Sequence, residues 1–252
     1  MNNFNVKEVK DNLINWIKDL FENNFGNDKS AIIAVSGGKD SSVVTALCVA
    51  ALGKNRVKAI LLPQYEQSDI DYSLQLVNHL GIEYKIVNIG STVDSIVEEM
   101  KKSGIEPTEQ ALINVAARVR MTELYFYAQC VNGIPSCNCN LSEDYVGYAT
   151  YGGDGFGSFA PLSQLTVTEV KEIGRLLGLP TELVDKTPSD GLCGKTDEDN
   201  LGFSYAILDK YIREGICEDE EIKQKIDTMH EKNLFKLQLM PSFQLYNPNF
   251  IA

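Results

Sequence analysis

The sequence predicts an α/β protein built on an open parallel sheet with helices covering both faces. Three observations carry this. Strand-length apolar runs at residues 31–35, 57–62 and 84–89 alternate with stretches of helical periodicity. The connections are short and punctuated by Gly53, Pro63 and Gly81. The first two runs, AIIAV and VKAILL, are nearly continuous rather than alternating, as expected of strands buried on both faces.

Taken in order, residues 6–24 repeat apolar side chains at helical spacing (Val6, Val9, Leu13, Trp16, Ile17, Leu20) and form a helix ahead of the first strand. The strand at 31–35 gives way to Ser36-Gly37-Gly38-Lys39-Asp40-Ser41-Ser42, and a helix over 43–52 ends at Gly53. A strand at 57–62, a helix at 69–80 and a strand at 84–89 complete two further repeats. A long helix is expected over 108–129, then a weak strand, IPSCNCN, at 134–140. Residues 147–157 are rich in glycine, and Gly147, Gly153, Gly155 and Gly157 read as backbone-conformation positions rather than contacts. A helix follows at 166–177. Residues 185–202 combine turn formers and charges with few apolar anchors, the composition of a lid over ligand or of a plain surface loop. Within them Asp197 and Glu198 read as ligand contacts or, in preference, as charges that solvate the lid. Residues 203–234 are again helical, so the expectation is one domain over 1–252 with a C-terminal helical extension at 203–252.

Composition narrows the function. Lys plus Arg number 23 against 35 Asp plus Glu, a formal charge of −12 without a basic block, which speaks against extended nucleic acid as a partner. A small polyanion is compatible, because a divalent cation and a few lysines can reverse the field of one cleft. The N-terminus is amphipathic and charged, unlike a signal peptide, and no apolar run approaches a membrane span, so a cytoplasmic protein is expected. Six cysteines (Cys48, Cys130, Cys137, Cys139, Cys193, Cys217) contain no CxxC pair. Cys137-x-Cys139 is read as packing rather than zinc ligation.

The chemistry concentrates at AIIAVSGGKDSSVVTALC, residues 31–48. Strand, tight loop and helix in this order aim backbone N–H groups and a helix N-terminus at an anion. It is neither a GxxxxGK[ST] loop, since Asp40 follows Lys39, nor a GxGxxG fingerprint, since Gly37 and Gly38 are adjacent. Ser36, Gly37, Gly38, Ser41 and Ser42 let a pyrophosphate approach closely. Asp40, a carboxylate in an anion site, makes sense as a ligand of Mg²⁺ bridging to phosphate, or as a first-turn helix aspartate.

SGGKDS resembles the SGGxDS signature of the ATP pyrophosphatases, and from about residue 6 to 215 the chain resembles ammonia-dependent NAD synthetases. The stretches that carry the likeness are NVAARVRM (114–121), NLSEDYVGYAT (140–150), GDGFGSFAPLSQLT (153–166) and KTPSDGLCGKTDEDNLGFSYAILDKYI (186–212). The resemblance implies an adenine-nucleotide α-hydrolase-like fold. It also implies ATP-dependent adenylation of the nicotinate carboxylate of deamido-NAD and attack by ammonia, giving NAD, AMP and pyrophosphate. By the same resemblance, Ser36, Gly37, Gly38, Lys39, Asp40, Ser41, Ser42, Asn138 and Ser189 contact ATP. Asp40 and Glu143 hold Mg²⁺, and Arg118, Tyr151 and Ser158 lie at the dinucleotide. It further implies a homodimer, and free ammonia rather than glutamine, since the chain has no room for a glutaminase domain.

Several positions depart from the family pattern. Cys137-Asn138 stands where Gly-Thr is usual, Tyr151 replaces a lysine, Ser158 an aspartate, and Val167 an ATP-contacting lysine. The C-terminal His-Lys-Arg signature reads Phe235-Lys236-Leu237. Lys39, Lys186 or Lys195 could substitute for a lost phosphate-facing cation. These changes leave two alternatives open: adenylation of another carboxylate, or a nucleotide-binding paralogue without catalysis. A thiouridine-forming RNA enzyme fits less well, given the acidity and the lack of CxxC.

Overall fold

The apolar runs form four parallel strands in the order β3-β2-β1-β4: β1 Ser30–Ala34, β2 Val57–Leu61, β3 Glu83–Ile86 and β4 Gly133–Pro135. This structure, a computed structural model, describes residues 4–67, 69–185, 196–238, 241 and 243. Side chains alternate across the sheet. Ala31, Ile33, Ala59 and Leu61 join the core under α1 (Val6–Leu20), α2 (Lys39–Leu52), α3 (Ile70–Leu80), α7 (Val167–Leu176) and α8 (Thr181–Val184). Ile32, Ile60 and Leu62 face α4 (Gly90–Lys102) and α5 (Glu109–Cys130) through Val93, Ala116, Val119 and Leu124. The sheet is therefore covered on both faces, which is why β1 and β2 need no polar side.

The differences from expectation have local causes. The third strand ends at Ile86, yet Val87 N still donates to Leu61 O and Ile89 N to Pro63 O, both at 2.9 Å. Between them Asn88 turns the chain, its side chain accepting from Gly90 N at 2.9 Å and launching α4, a helix absent from the expected elements although Val93, Ile96, Val97 and Met100 repeat at helical spacing. The fourth strand is shorter than 134–140. Beyond Pro135 its neighbour β1 has turned into the loop, and Cys137 N donates instead to Phe159 O at 2.8 Å. The C-terminal helical region divides into α10 (Tyr205–Glu214) and α11 (Glu220–Asn233). Gly215 turns left-handed at φ 71°, and Asp219 caps the new helix by accepting from Glu221 N and Ile222 N. Among the described residues no helix is long and apolar enough to cross a membrane.

The two remaining helices, α6 (Leu141–Val146) and α9 (Asp197–Leu201), join α10 and α11 in a third apolar cluster containing Val146, Val167, Leu201, Phe203, Leu208 and Ile226. Val167, at a position where a lysine is usual, is buried here, so its side chain serves packing. The buried Asp209 ties this cluster to the sheet layer. Its carboxylate accepts from Ser142 Oγ at 2.6 Å, Thr168 N at 2.8 Å and Thr168 Oγ1 at 2.6 Å. Ser142 Oγ in turn accepts from Val167 N at 3.1 Å. Replacing Asp209 by alanine strands these donors beside the first turn of α7. Asp209→Ala should cost about 3 kcal/mol in urea unfolding, well beyond a surface aspartate change.

Candidate active site

The chain runs β1, β2, β3 in one direction and then crosses to place β4 on the other side of β1. That reversal opens a crevice beyond the carboxyl ends of β1 and β4, the position at which open α/β sheets bind ligands. Two segments meet there: residues 35–42 after β1 and residues 136–143 after β4.

The first segment is shaped by its glycines and hydroxyls. Gly37 is left-handed at φ 76°, and a Cβ on it would lie 2.8 Å from Ser73 N and from Tyr72 Cβ. Gly38 is the N-cap of α2 and, having no side chain, leaves the first amides of that helix uncapped by its own residue. Such amides, with the helix dipole behind them, bind anions. Ser41 Oγ accepts from Ser36 N at 3.2 Å and lies 3.1 Å from Ser36 Oγ, while Ser42 Oγ donates to Gly38 O at 2.8 Å. The loop is thus held by its own serines.

The second segment carries Asn140, fully buried, as the N-cap of α6. Its Oδ1 accepts from Glu143 N at 3.0 Å, and its N–H donates to Glu143 Oε2 at 3.3 Å, a reciprocal capping box. Its Nδ2 donates to Asp40 Oδ1 at 3.0 Å. One amide therefore orients both predicted metal carboxylates. Between them lies Lys39, whose Nζ is 2.7 Å from Asp40 Oδ2 and 3.7 Å from Glu143 Oε1, with the Tyr205 ring 5.6 Å away.

Negative charge exceeds positive in this place, where Asp40 and Glu143 share the single ammonium of Lys39. Burial would lower the Lys39 pKa, but Asp40 and Glu143 outweigh it and hold the ammonium above the ordinary lysine range. Burial pushes the Glu143 carboxyl well above its usual range, Asp40 adding to the effect and Lys39 opposing it. The carboxylates fit a divalent cation: hard oxygen donors, and an ammonium already standing between them as a cation would. Among the described residues no group of three His, Cys, Asp or Glu comes together that could hold a metal ion by protein ligands alone.

The other expected site residues are placed as follows. Asn138 spends its amide internally, Nδ2 donating to Ala34 O at 3.0 Å and Oδ1 accepting from Ser136 Oγ at 2.9 Å, so it buttresses the end of β1. Arg118 is exposed on α5 and its Nε donates to Tyr151 O at 3.3 Å, bringing these two positions together. The Tyr151 ring lies 5.6 Å from that of Phe235, which makes two departures from the family pattern a single contact. Ser158 is exposed, with its N–H bonded to Pro135 O at 2.8 Å. Ser189, Lys186 and Lys195 lie outside the described residues.

Two readings from sequence need correction. Asp197 does not solvate a loop: it is buried, with Tyr148 Oη 3.4 Å from its Oδ1. Glu198 accepts from Tyr205 N at 2.8 Å, fastening the start of α10. Cys137 and Cys139 are buried with both sulfurs near Asp154 O, at 3.6 and 3.5 Å, and Gly157 presses on Cys137, where a Cβ would come 2.2 Å from its N. Asn140 and Tyr205 join the site from outside the motif positions. For Asn140 a signal existed in NLSE, an Asn-x-x-Glu capping pattern.

A parallel sheet whose first strand runs into SGGKDS, with a carboxylate from each side of the switch point, defines an ATP pyrophosphatase of the α/β class. Residues 9–247 match the family described as NAD synthase, and the chain belongs to that family. It is similar to the NH(3)-dependent NAD(+) synthetase of Pyrococcus furiosus, 38% identical over 213 residues covering 84% of this chain and 79% of that one. The counterpart from Archaeoglobus fulgidus is 33% identical over 244 residues, covering 94% and 96%. Among solved structures, NMN synthetase from Francisella tularensis superposes with a TM-score of 0.87 at 31% identity, over 98% of this chain and 100% of that one. NH3-dependent NAD synthetase from Campylobacter jejuni gives 0.77 at 25% identity, over 96% and 100%.

Because Asn140 both caps α6 and holds Asp40, its two roles should separate by mutation. Asn140→Ala is expected to lower stability by about 2 kcal/mol in urea unfolding, and Asn140→Ser, which restores a cap oxygen but not the donor to Asp40, to recover about half of that. Equal losses in the two variants would assign the whole effect to the Asp40 bond.

Proposed function

We propose that the protein is an ammonia-dependent carbon–nitrogen ligase that uses ATP to amidate deamido-NAD, giving NAD, AMP and pyrophosphate. The observation that carries this reading is the convergence of Asp40 and Glu143 beside the uncapped N-terminus of α2, at the sheet's switch point. The names of the relatives, NH(3)-dependent NAD(+) synthetases, support the substrate and the nitrogen donor.

In this reading the α2 amides and the Ser36–Ser41 hydroxyls hold the triphosphate. Asp40 and Glu143 hold Mg²⁺, which when bound neutralises phosphate charge and eases departure of pyrophosphate. Fixed donors at the α-phosphate favour attack by the substrate carboxylate, forming the acyl adenylate. Arg118, at the surface beside Tyr151, supplies a cation for the dinucleotide phosphates. Ammonia then attacks the acyl carbon and AMP leaves, so no protein nucleophile takes part. The reading includes a cytoplasmic enzyme without a nucleic-acid or membrane partner.

A homodimer belongs to the same proposal. Leu112, Ile113 and Phe126 on α5 and Ile96 and Met100 on α4 are exposed apolar side chains on two packed helices, Phe126 to 70%. Exposed apolar side chains gathered on this helix pair fit a second copy of the chain. Phe126→Asp should shift the sedimentation profile from dimer towards monomer, and an unchanged profile would move the interface elsewhere.

A second reading, amidation of the mononucleotide to NMN, is favoured by the TM-score of 0.87 with an NMN synthetase and by the Tyr151–Phe235 contact beside Arg118. Mass spectrometry with Mg²⁺, ATP, ammonium and either acid substrate decides between them. Stoichiometric NAD and AMP from deamido-NAD with the higher kcat/KM is the expected result, and a preference for the mononucleotide would reverse the order. Asp40→Asn and Glu143→Gln should each lower kcat by about 100-fold or more while thermal unfolding changes far less. Unchanged turnover in either variant would remove that residue from the metal site.

A further inference from the structure

Lys39 occupies the variable position of SGGxDS and is the first residue of α2. From that place a lysine is expected to reach over the loop towards phosphate. Instead its side chain is only 2% exposed and turned back onto Asp40 Oδ2 and Glu143 Oε1, beneath the Tyr205 ring. A buried ammonium persists only where it is paired, and here its partners are the two carboxylates assigned to the metal.

We propose that Lys39 is a positioning residue that stands in for the divalent cation between Asp40 and Glu143, and yields that place when metal enters together with nucleotide. The proposal rests on the metal site of the preceding section. Two like charges cannot share one gap: Mg²⁺ needs its oxygens at about 2.1 Å, and an ammonium bonded to the same carboxylates blocks that approach. Lys39 therefore competes with free divalent cation and weakens metal binding in the absence of nucleotide. ATP changes the balance, because its phosphates lie at the N-terminus of the same helix. They offer the ammonium a new partner one residue from the loop, within reach of a flexible four-carbon stem. Metal and nucleotide then bind as a coupled pair, and the carboxylates are held in register by Lys39 and Asn140 until they arrive.

The coupling is measurable without turnover. Mn²⁺ binding, followed by electron paramagnetic resonance, should be at least about tenfold tighter to Lys39→Met than to wild type without nucleotide, in the usual range of site-to-site coupling. With α,β-methylene-ATP the difference should shrink, since the analogue draws the wild-type ammonium away. In thermal unfolding without nucleotide, Mg²⁺ should raise the midpoint of Lys39→Met more than that of wild type. Lys39→Gln, which keeps a donor for the carboxylates and removes the charge, makes the same test if Lys39→Met fails to fold. Equal Mn²⁺ affinities without nucleotide, with Mn²⁺ binding normally in the analogue complex, would overturn the role of Lys39 alone. No Mn²⁺ binding to any of these proteins with the analogue present would overturn the metal site and this proposal with it.

Discussion

The parallel pairing of β1 with β4 is the constraint on which the site depends. Ser30 pairs with Gly133, Ala31 with Ile134 and Ile32 with Pro135, so the two strands end side by side while the rest of the sheet extends the other way. Because a parallel register brings carboxyl ends together, residue 40 and residue 140 meet without any long loop reaching across. Asn138 reinforces the junction by donating to Ala34 O, and the Asn140 bond to Asp40 closes it.

Within this frame the electrostatics run against simple stability. Asp40, Glu143 and Asp197 crowd around one lysine, and burial raises the affinity of Glu143 for a proton. A protein optimised only to fold would place apolar side chains here, because buried ion pairs recover little more than the desolvation they cost. The excess negative charge is sensible if the complete site contains a divalent cation and a polyphosphate, whose charges the protein alone does not balance. Ser142 and Asp209 show the contrast: that buried group is fully met by hydroxyl and amide donors and has a packing role.

Much of this was legible in the sequence because it is local. The apolar runs of β1 and β2, their glycine and proline stops, and the SGGKDS loop depend on neighbours within a few residues, and each formed close to its expected place. The helix α4 was legible too, since Val93, Ile96, Val97 and Met100 stand at helical spacing, but its start lies in the Asn88 side chain accepting from Gly90 N, close against the end of the third strand. The helix α6 is only a turn and a half, and its capping box was the available sign. The direction of Lys39 and the burial of Asp197 were not readable at all, since each depends on partners from distant parts of the chain. Resemblance could supply Glu143 as a ligand, but only three-dimensional structure shows that Asn140 aims it.

The departures from the family pattern gain a physical order from the same geometry. Asn138 and Val167 are absorbed by the scaffold, one bracing β1 and the other packing in the third apolar cluster, so neither requires a change of chemistry. Tyr151 and Phe235 differ in kind. They touch each other, beside the backbone oxygen that receives the Arg118 bond, while Lys236 donates to Gly147 O and Ala149 O and pins the adjoining segment. A lysine position and a histidine position of the family pattern have thus become one aromatic contact. Aromatic faces stack on rings but do not pair with phosphate, so the contact places an apolar surface beside Arg118. The SGGKDS loop and the Asp40–Glu143 pair keep the charges of the family pattern, and the lysine charge lost at position 167 is replaced by apolar packing.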